Sequence, residues 1–471
     1  MPDILEQTAL DQSAALERGD LSAVELMQAT LERIAATNGT VNAIVGLRDT
    51  ETLLAEAQAA DNGPRTGWLH GIPMAIKDLA NVKGMVTSKG SSLFKDDVAQ
   101  QDDLMVSRLR AAGALFIGKT NTPEFGLGSH TFNPVHGATC NPYVAGKSAG
   151  GSSGGAAAAL AMRMVAVADG SDMMGSLRNP AGWNNVYGMR PSWGTVPGEP
   201  EGEMFLQHLA TSGPMARSPR DLAALLDTMT GSDPRVPLSL DTEKCLPQMA
   251  DRLARQRIGW LGDWDGALPF EDGILSLSQV ALSQMQDMGH SVAPLHAPFD
   301  SDLIWDSWIS LRSFAVGAGL LNDFEDPTRR AFLKPAAIWE VERGIAMSGM
   351  DVHKASLIRS DWFRAAAAVF ETVDVLVLPS AQVWPFDVTM EHPTEIAGIS
   401  MDTYHRWMQV VVPASLLGLP VVNVPIGFGE TGLPAGLQLI GPRGSDARLL
   451  QLAEEWHIAT DWPASSPPAL A

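Results

Sequence analysis

Cysteine is nearly absent, with Cys140 and Cys245 the only two in 471 residues. Two thiols without metal-ligand spacing exclude a disulfide-built scaffold and a zinc module, and are expected reduced in a cytosolic protein. No apolar run reaches the ~18 residues of a membrane span. The start, Met1-Pro2-Asp3-Ile4-Leu5-Glu6, has neither a basic n-region nor an apolar h-region, so the expectation is a soluble, cytoplasmic chain. Positive charge is scarce too: 33 Lys and Arg stand against 54 Asp and Glu, a net charge of −21. A surface that acidic repels phosphate backbones and anionic lipid, so neither nucleic acid nor membrane is expected as a partner. Charged residues are 18% and hydrophobic residues 45%, which excludes disordered and coiled-coil chains. No His, Asp and Glu cluster has ligand spacing, so no metal or cofactor is expected.

What is present reads as an α/β protein. Over residues 1–60 the pattern is helical, opened by Ser22 and Glu25 in capping-box spacing and followed by a stripe of Leu26, Ala29, Leu31 and Ile34. From about residue 71 short apolar runs at 72–76, 115–117 and 164–168 alternate with helical patterns at 104–112 and 156–161, predicting buried strands with covering helices. The alternation returns at 373–379, 419–425 and 436–441, before a closing helix at 447–458. Residues 300–365 are helical in pattern and rich in Trp. With no repeat, linker or composition break, one domain over 1–471 is expected, its central mixed sheet covered by helices on both faces.

The densest segment is Gly146-Lys147-Ser148-Ala149-Gly150-Gly151-Ser152-Ser153-Gly154-Gly155. It is not a phosphate loop, which requires Gly where Asn141 stands and a strand before it. Gly151-Ser152-Ser153-Gly154-Gly155 fits a nucleophile elbow with Ser153 attacking, although 141–149 is a poor strand. His290, His353, His392, His405 or His457 would have to be the base, and none has a motif around it. Geometry offers a third reading. A helix of about ten residues after Gly155 rises ~15 Å, and a short strand to Gly170 brings the chain back. The turn Ser171-Asp172-Met173-Met174-Gly175-Ser176-Leu177-Arg178 can then face Ser152, with Lys77 at the end of the first apolar run joining them.

At these residues the sequence resembles the amidase signature family of serine hydrolases. The Lys77 block, the Gly-Gly-Ser-Ser-Gly-Gly block and Asp172-Met173-Met174-Gly175-Ser176-Leu177-Arg178 agree in order and spacing. Leu69-His70-Gly71-Ile72-Pro73, Gly118-Lys119-Thr120-Asn121, Ser212-Gly213-Pro214 and Gly432-Leu433-Pro434-Ala435-Gly436 resemble further landmarks, while about 240–370 is too generic to match. The resemblance implies Ser176 as nucleophile, Ser152 as a bridging serine after a cis peptide, and Lys77 as base, within a catalytic core at 71–220. It also implies an oxyanion hole from the amides of Met173, Met174, Gly175 and Ser176, with Ser153, Asp172 and Arg178 as supporting residues. Arg178 reads equally as a structural ion pair. The chemistry agrees with this assignment, because a serine hydroxyl needs a neighbouring base, and burial against Ile72, Met74 and Ile76 favours a neutral lysine.

Where many relatives carry Gly this chain has Met174, which predicts a reshaped acyl pocket. Relatives build their substrate pocket in the poorly matched stretch, so the helical region 300–365 is expected to contribute to it. Trp305, Trp308, Trp339, Trp384 and Trp407 could line an aromatic site or, as large aromatics usually do, pack in the core. The expected activity is cleavage of a small apolar or aryl amide, with carbamates and esters open to the same acyl-enzyme chemistry. The alternative is the glutaminase-type subunit of an amidotransferase complex. A small-molecule amide is the expected partner, and homodimerisation is left open.

Overall fold

The computed structural model describes residues 4–206 and 208–469; residues 1–3, part of the start read above, lie outside them. The eight-stranded mixed sheet runs, edge to edge, Ser291–Pro294, Arg257–Trp260, Val375–Pro379, Pro434–Ile440, Val421–Phe428, Tyr187–Arg190, Thr211–Ala216 and Val167–Asp172. The first three strands are parallel and the other pairings antiparallel. Successive strand residues point to opposite faces, and the chain uses both. Val375, Val377, Val422, Val424, Leu437 and Leu439 enter one core, with the helices Pro219–Met229 and Asp446–Thr460. Leu376, Leu378, Val421 and Ile440 enter the other, with Trp183, Trp305, Trp308, Trp362 and Trp407.

Lys77 does not sit in this sheet. It is the last residue of the strand Pro73–Lys77, which pairs in parallel with Leu115–Thr120 and, through it, with Ile44–Val45 in a separate three-stranded sheet. Between the two sheets runs the helix Gly154–Ala161, buried at every residue. Its small side chains are required there: a Cβ on Gly155 would lie 2.3 Å from the Asn121 amide nitrogen. The capping box forms as read, with Ser22 Oγ accepting from the Glu25 amide and Glu25 Oε2 accepting from the Ser22 amide. Among the described residues no helix is long and apolar enough to cross a membrane.

Candidate active site

Every residue of Pro73–Lys77 is buried, so the strand carries an amine into a place that disfavours its charge. Lys77 Nζ lies 2.8 Å from Ser152 Oγ, 2.8 Å from Ser153 Oγ, 3.1 Å from Ser171 Oγ and 3.4 Å from the Ser171 carbonyl. Burial pushes it down to about 7, against the pull of the Asp169 and Asp172 carboxylates. A neutral amine has two N–H donors and one lone pair, so with four oxygens around it one hydroxyl can donate to nitrogen. Asp169 ties this strand to the large sheet, its Oδ1 accepting from the Lys77 amide at 3.0 Å. Burial pushes the Asp169 carboxyl up to about 6.

The serine loop is shaped by glycine. Gly150 has φ +74°, and a Cβ there would lie 2.5 Å from Asn179 Oδ1. The Gly151–Ser152 peptide is cis. Ser153 stitches this loop to the second one, its amide donating to the Ser176 carbonyl at 3.3 Å.

That second loop is the turn leaving Val167–Asp172, and Asp172 organises it. Its carboxylate accepts from the amides of Gly175 at 2.9 Å and Leu177 at 3.1 Å, and from Arg178 Nε at 2.9 Å and Nη2 at 3.0 Å. Arg190 Nη1 lies 3.2 Å from Oδ1. Burial alone would raise this carboxyl; the two guanidiniums overcome it and hold Asp172 well below the usual carboxylate range. Arg178 is fully buried and gives its remaining bonds to Gln438, Ser415 and the Val411 carbonyl, so it braces the turn from behind. Asp172→Ala would leave two buried guanidiniums facing no carboxylate, and urea unfolding should show a loss of about 3–5 kcal/mol. A loss under about 1 kcal/mol would show that the turn is held by other means.

The turn's amides are not equivalent. Gly175 donates to Asp172, whereas no described residue accepts from the amides of Met173, Met174 or Ser176. Of the four amides read as an oxyanion hole, three are free. Gly175 still matters for shape: at φ +79°, any Cβ would meet Val411 at 2.9 Å.

Ser152 and Ser176 line one cleft of about 370 Å³. The Lys77–Ser152 link is closed; the Ser176 hydroxyl holds no hydrogen bond to a described residue. Phe125, Leu127, Met173, Met174, Val316, Leu320 and Met408 form its apolar walls. None of the five tryptophans does. Trp305, Trp308 and Trp407 are buried in the core behind the sheet, and Trp384 is anchored elsewhere through Nε1 to the Asp272 carbonyl. Trp339 packs edge-on to Tyr404. Among the described residues no histidine hydrogen-bonds Ser153, whose hydroxyl faces Lys77 instead, so the histidine base named in the elbow reading is missing. No group of three or more His, Cys, Asp or Glu among the described residues could hold a metal.

Sequence reasoning missed Asp169, the Ser171 hydroxyl as a Lys77 partner, Arg190 beside Asp172, and Arg312, which lines the cleft. Ala168-Asp169-Gly170-Ser171-Asp172 did carry a signal, since a charged residue inside a strand between apolar neighbours needs a buried partner.

A family model described as Amidase matches residues 25–450. The chain belongs to the amidase signature family. An acylamidase of Rhodococcus erythropolis is 32% identical over 98% of this chain and 97% of its own length. Equally, a glutamyl-tRNA(Gln) amidotransferase subunit of Thiobacillus denitrificans is 32% identical over 98% of each. The solved structure of a bacterial aryl acylamidase of the amidase signature family superposes with a TM-score of 0.88, at 27% identity, over 98% of this chain and 99% of that one. This amidase signature protein is an enzyme that hydrolyses amide C–N bonds.

Proposed function

We propose that this amidase cleaves small apolar or aryl amides through an acyl-enzyme on Ser176, and acts on carbamates and esters by the same route. The observation that carries this is the buried Lys77 amine bonded to Ser152 in the cleft that Ser176 enters. Lys77 takes the Ser152 proton while Ser152 takes the proton of Ser176, whose oxygen bonds to the substrate carbonyl carbon. The Ser152–Ser176 link forms in the occupied cleft, as catalytic hydrogen bonds often tighten only with substrate bound. The oxyanion is held by the amides of Met173, Met174 and Ser176, with Gly175 committed to Asp172. The C–N bond breaks as the leaving nitrogen receives the proton back from Lys77 through Ser152, and water then releases the acid.

The likeness to the amidotransferase protein supports a glutaminase as second reading. Against it, no carboxylate lines the cleft among the described residues, so the ammonium of glutamine would find no counter-charge. The test is intact-protein mass after incubation with a fluorophosphonate, followed by peptide mapping. A single adduct on Ser176 is expected. An adduct on Ser153, or none on folded protein, would overturn the reading.

A further inference from the structure

The chain carries a net charge of −21, yet the only charged side chains lining the cleft, among the described residues, are the cations Lys89 and Arg312. Arg312 stands on the helix Ser301–Glu325, and its spacing to Val316 and Leu320 puts all three on the face that forms the cleft wall. Only 3% of it is exposed. Its orientation is fixed from behind. Nε donates to Glu340 Oε1 at 2.8 Å and Nη2 to Tyr404 Oη at 2.7 Å. Glu340 in turn accepts from Ser313 Oγ at 2.6 Å and from Tyr404 Oη at 2.7 Å.

Toward the cleft, Nη1 finds, among the described residues, only the Met173 sulfur, 3.2 Å away. A thioether is a weak acceptor, and a guanidinium has five N–H donors, so two remain without a hydrogen-bond partner among the described residues. An arginine serving packing alone would direct its donors at carboxylates and carbonyls, as Arg178 does. Arg312 is instead locked by one buried carboxylate and left with donors at the wall of a substrate cleft.

We propose that Arg312 is the substrate-binding residue that receives a carboxylate, so that the preferred substrates are amides with an apolar body and an anionic group away from the scissile bond. Glu340 offsets the guanidinium charge from behind, and Lys89 supplies further positive charge for the incoming anion. The absence of a lining carboxylate selects an anion over a zwitterion. This rests on Ser176 being the nucleophile in the same cleft.

The experiment compares kcat/KM within two matched pairs: glutaryl against valeryl 4-nitroanilide, placing the carboxylate on the acyl side, and N-butyryl-4-aminobenzoate against N-butyryl-4-toluidine, placing it on the amine side. In at least one pair the carboxylate member is expected to be favoured about tenfold or more. In Arg312→Met that ratio should fall to parity, and Arg312→Lys should retain part of it, since the ammonium keeps charge without the planar fork. If Arg312→Met fails to fold because Glu340 is left unpaired, the double variant Arg312→Met with Glu340→Gln gives the same readout. No preference in either pair, or a preference that survives the loss of Arg312, overturns the inference while turnover of the neutral anilides leaves the hydrolase reading standing. No turnover of any of the four, together with no Ser176 adduct, overturns both.

Discussion

Ser176→Ala is expected to lose on the order of 10⁴- to 10⁶-fold in kcat while melting with the wild type. The two halves of that expectation have different causes. Under the proposed mechanism activity falls because the Ser176 hydroxyl is the atom that forms the acyl bond, and the other serines lining the cleft, Ser129, Ser152 and Ser171, lie outside the Met173–Ser176 stretch that carries the three amides. Stability stays because the Ser176 hydroxyl holds no hydrogen bond to a described residue, whereas its carbonyl, which accepts from Ser153, is untouched by the substitution. Steady-state rates on an aryl anilide and a thermal melt decide the matter together. Near-wild-type turnover would remove Ser176 from the mechanism, and a collapsed melt would make the lost activity uninformative.

Lys77 carries the second large effect. Only the neutral amine can accept a proton, and burial sets the charged and neutral forms in balance at about 7. The neutral fraction grows as pH rises through that value, so kcat/KM should climb through about pH 7 and level off above it. Lys77→Ala should cost about 10³-fold or more at pH 8 and lose this limb, leaving at most a slow rise with hydroxide concentration. Asp169 supplies a sign test: its carboxylate draws the Lys77 proton affinity upward, so Asp169→Asn should move the limb to lower pH. A wild-type limb well below pH 6, or one unmoved in Lys77→Ala, would assign the titration to another group.

Much of this was legible from local pattern. The capping box of Ser22 and Glu25, the apolar runs ending at Pro379 and Ile440, and the buried alanine helix after Gly155 are decided by neighbours in sequence. The run at 164–168 shows where that stops. Only Val167 onward is strand, because Arg163 turns the chain at φ +58° and is held there by Glu6 and the Pro463 carbonyl. Neither contact is visible from the run itself.

The site divides the same way. Lys77, Ser152 and Ser176 announce themselves by motif; Arg312 does not, because one arginine in an apolar helical stripe carries no signal until Glu340, Tyr404 and Met173 are placed around it. The tryptophans are ambiguous in sequence for a related reason. A large ring satisfies a core or a pocket equally well in sequence, and here the sheet's second face took them.

The lysine and the serine turn are borne by different sheets, and the Lys77 amide reaching Asp169 is one of the stitches across that join. The proposed reaction centre is therefore a seam, and a seam registers the alignment of what it joins. Substitutions that let the small sheet slide against the large one would silence turnover while each sheet keeps its own pairing, so rate is a finer gauge of this molecule's integrity than any spectrum of its strands and helices.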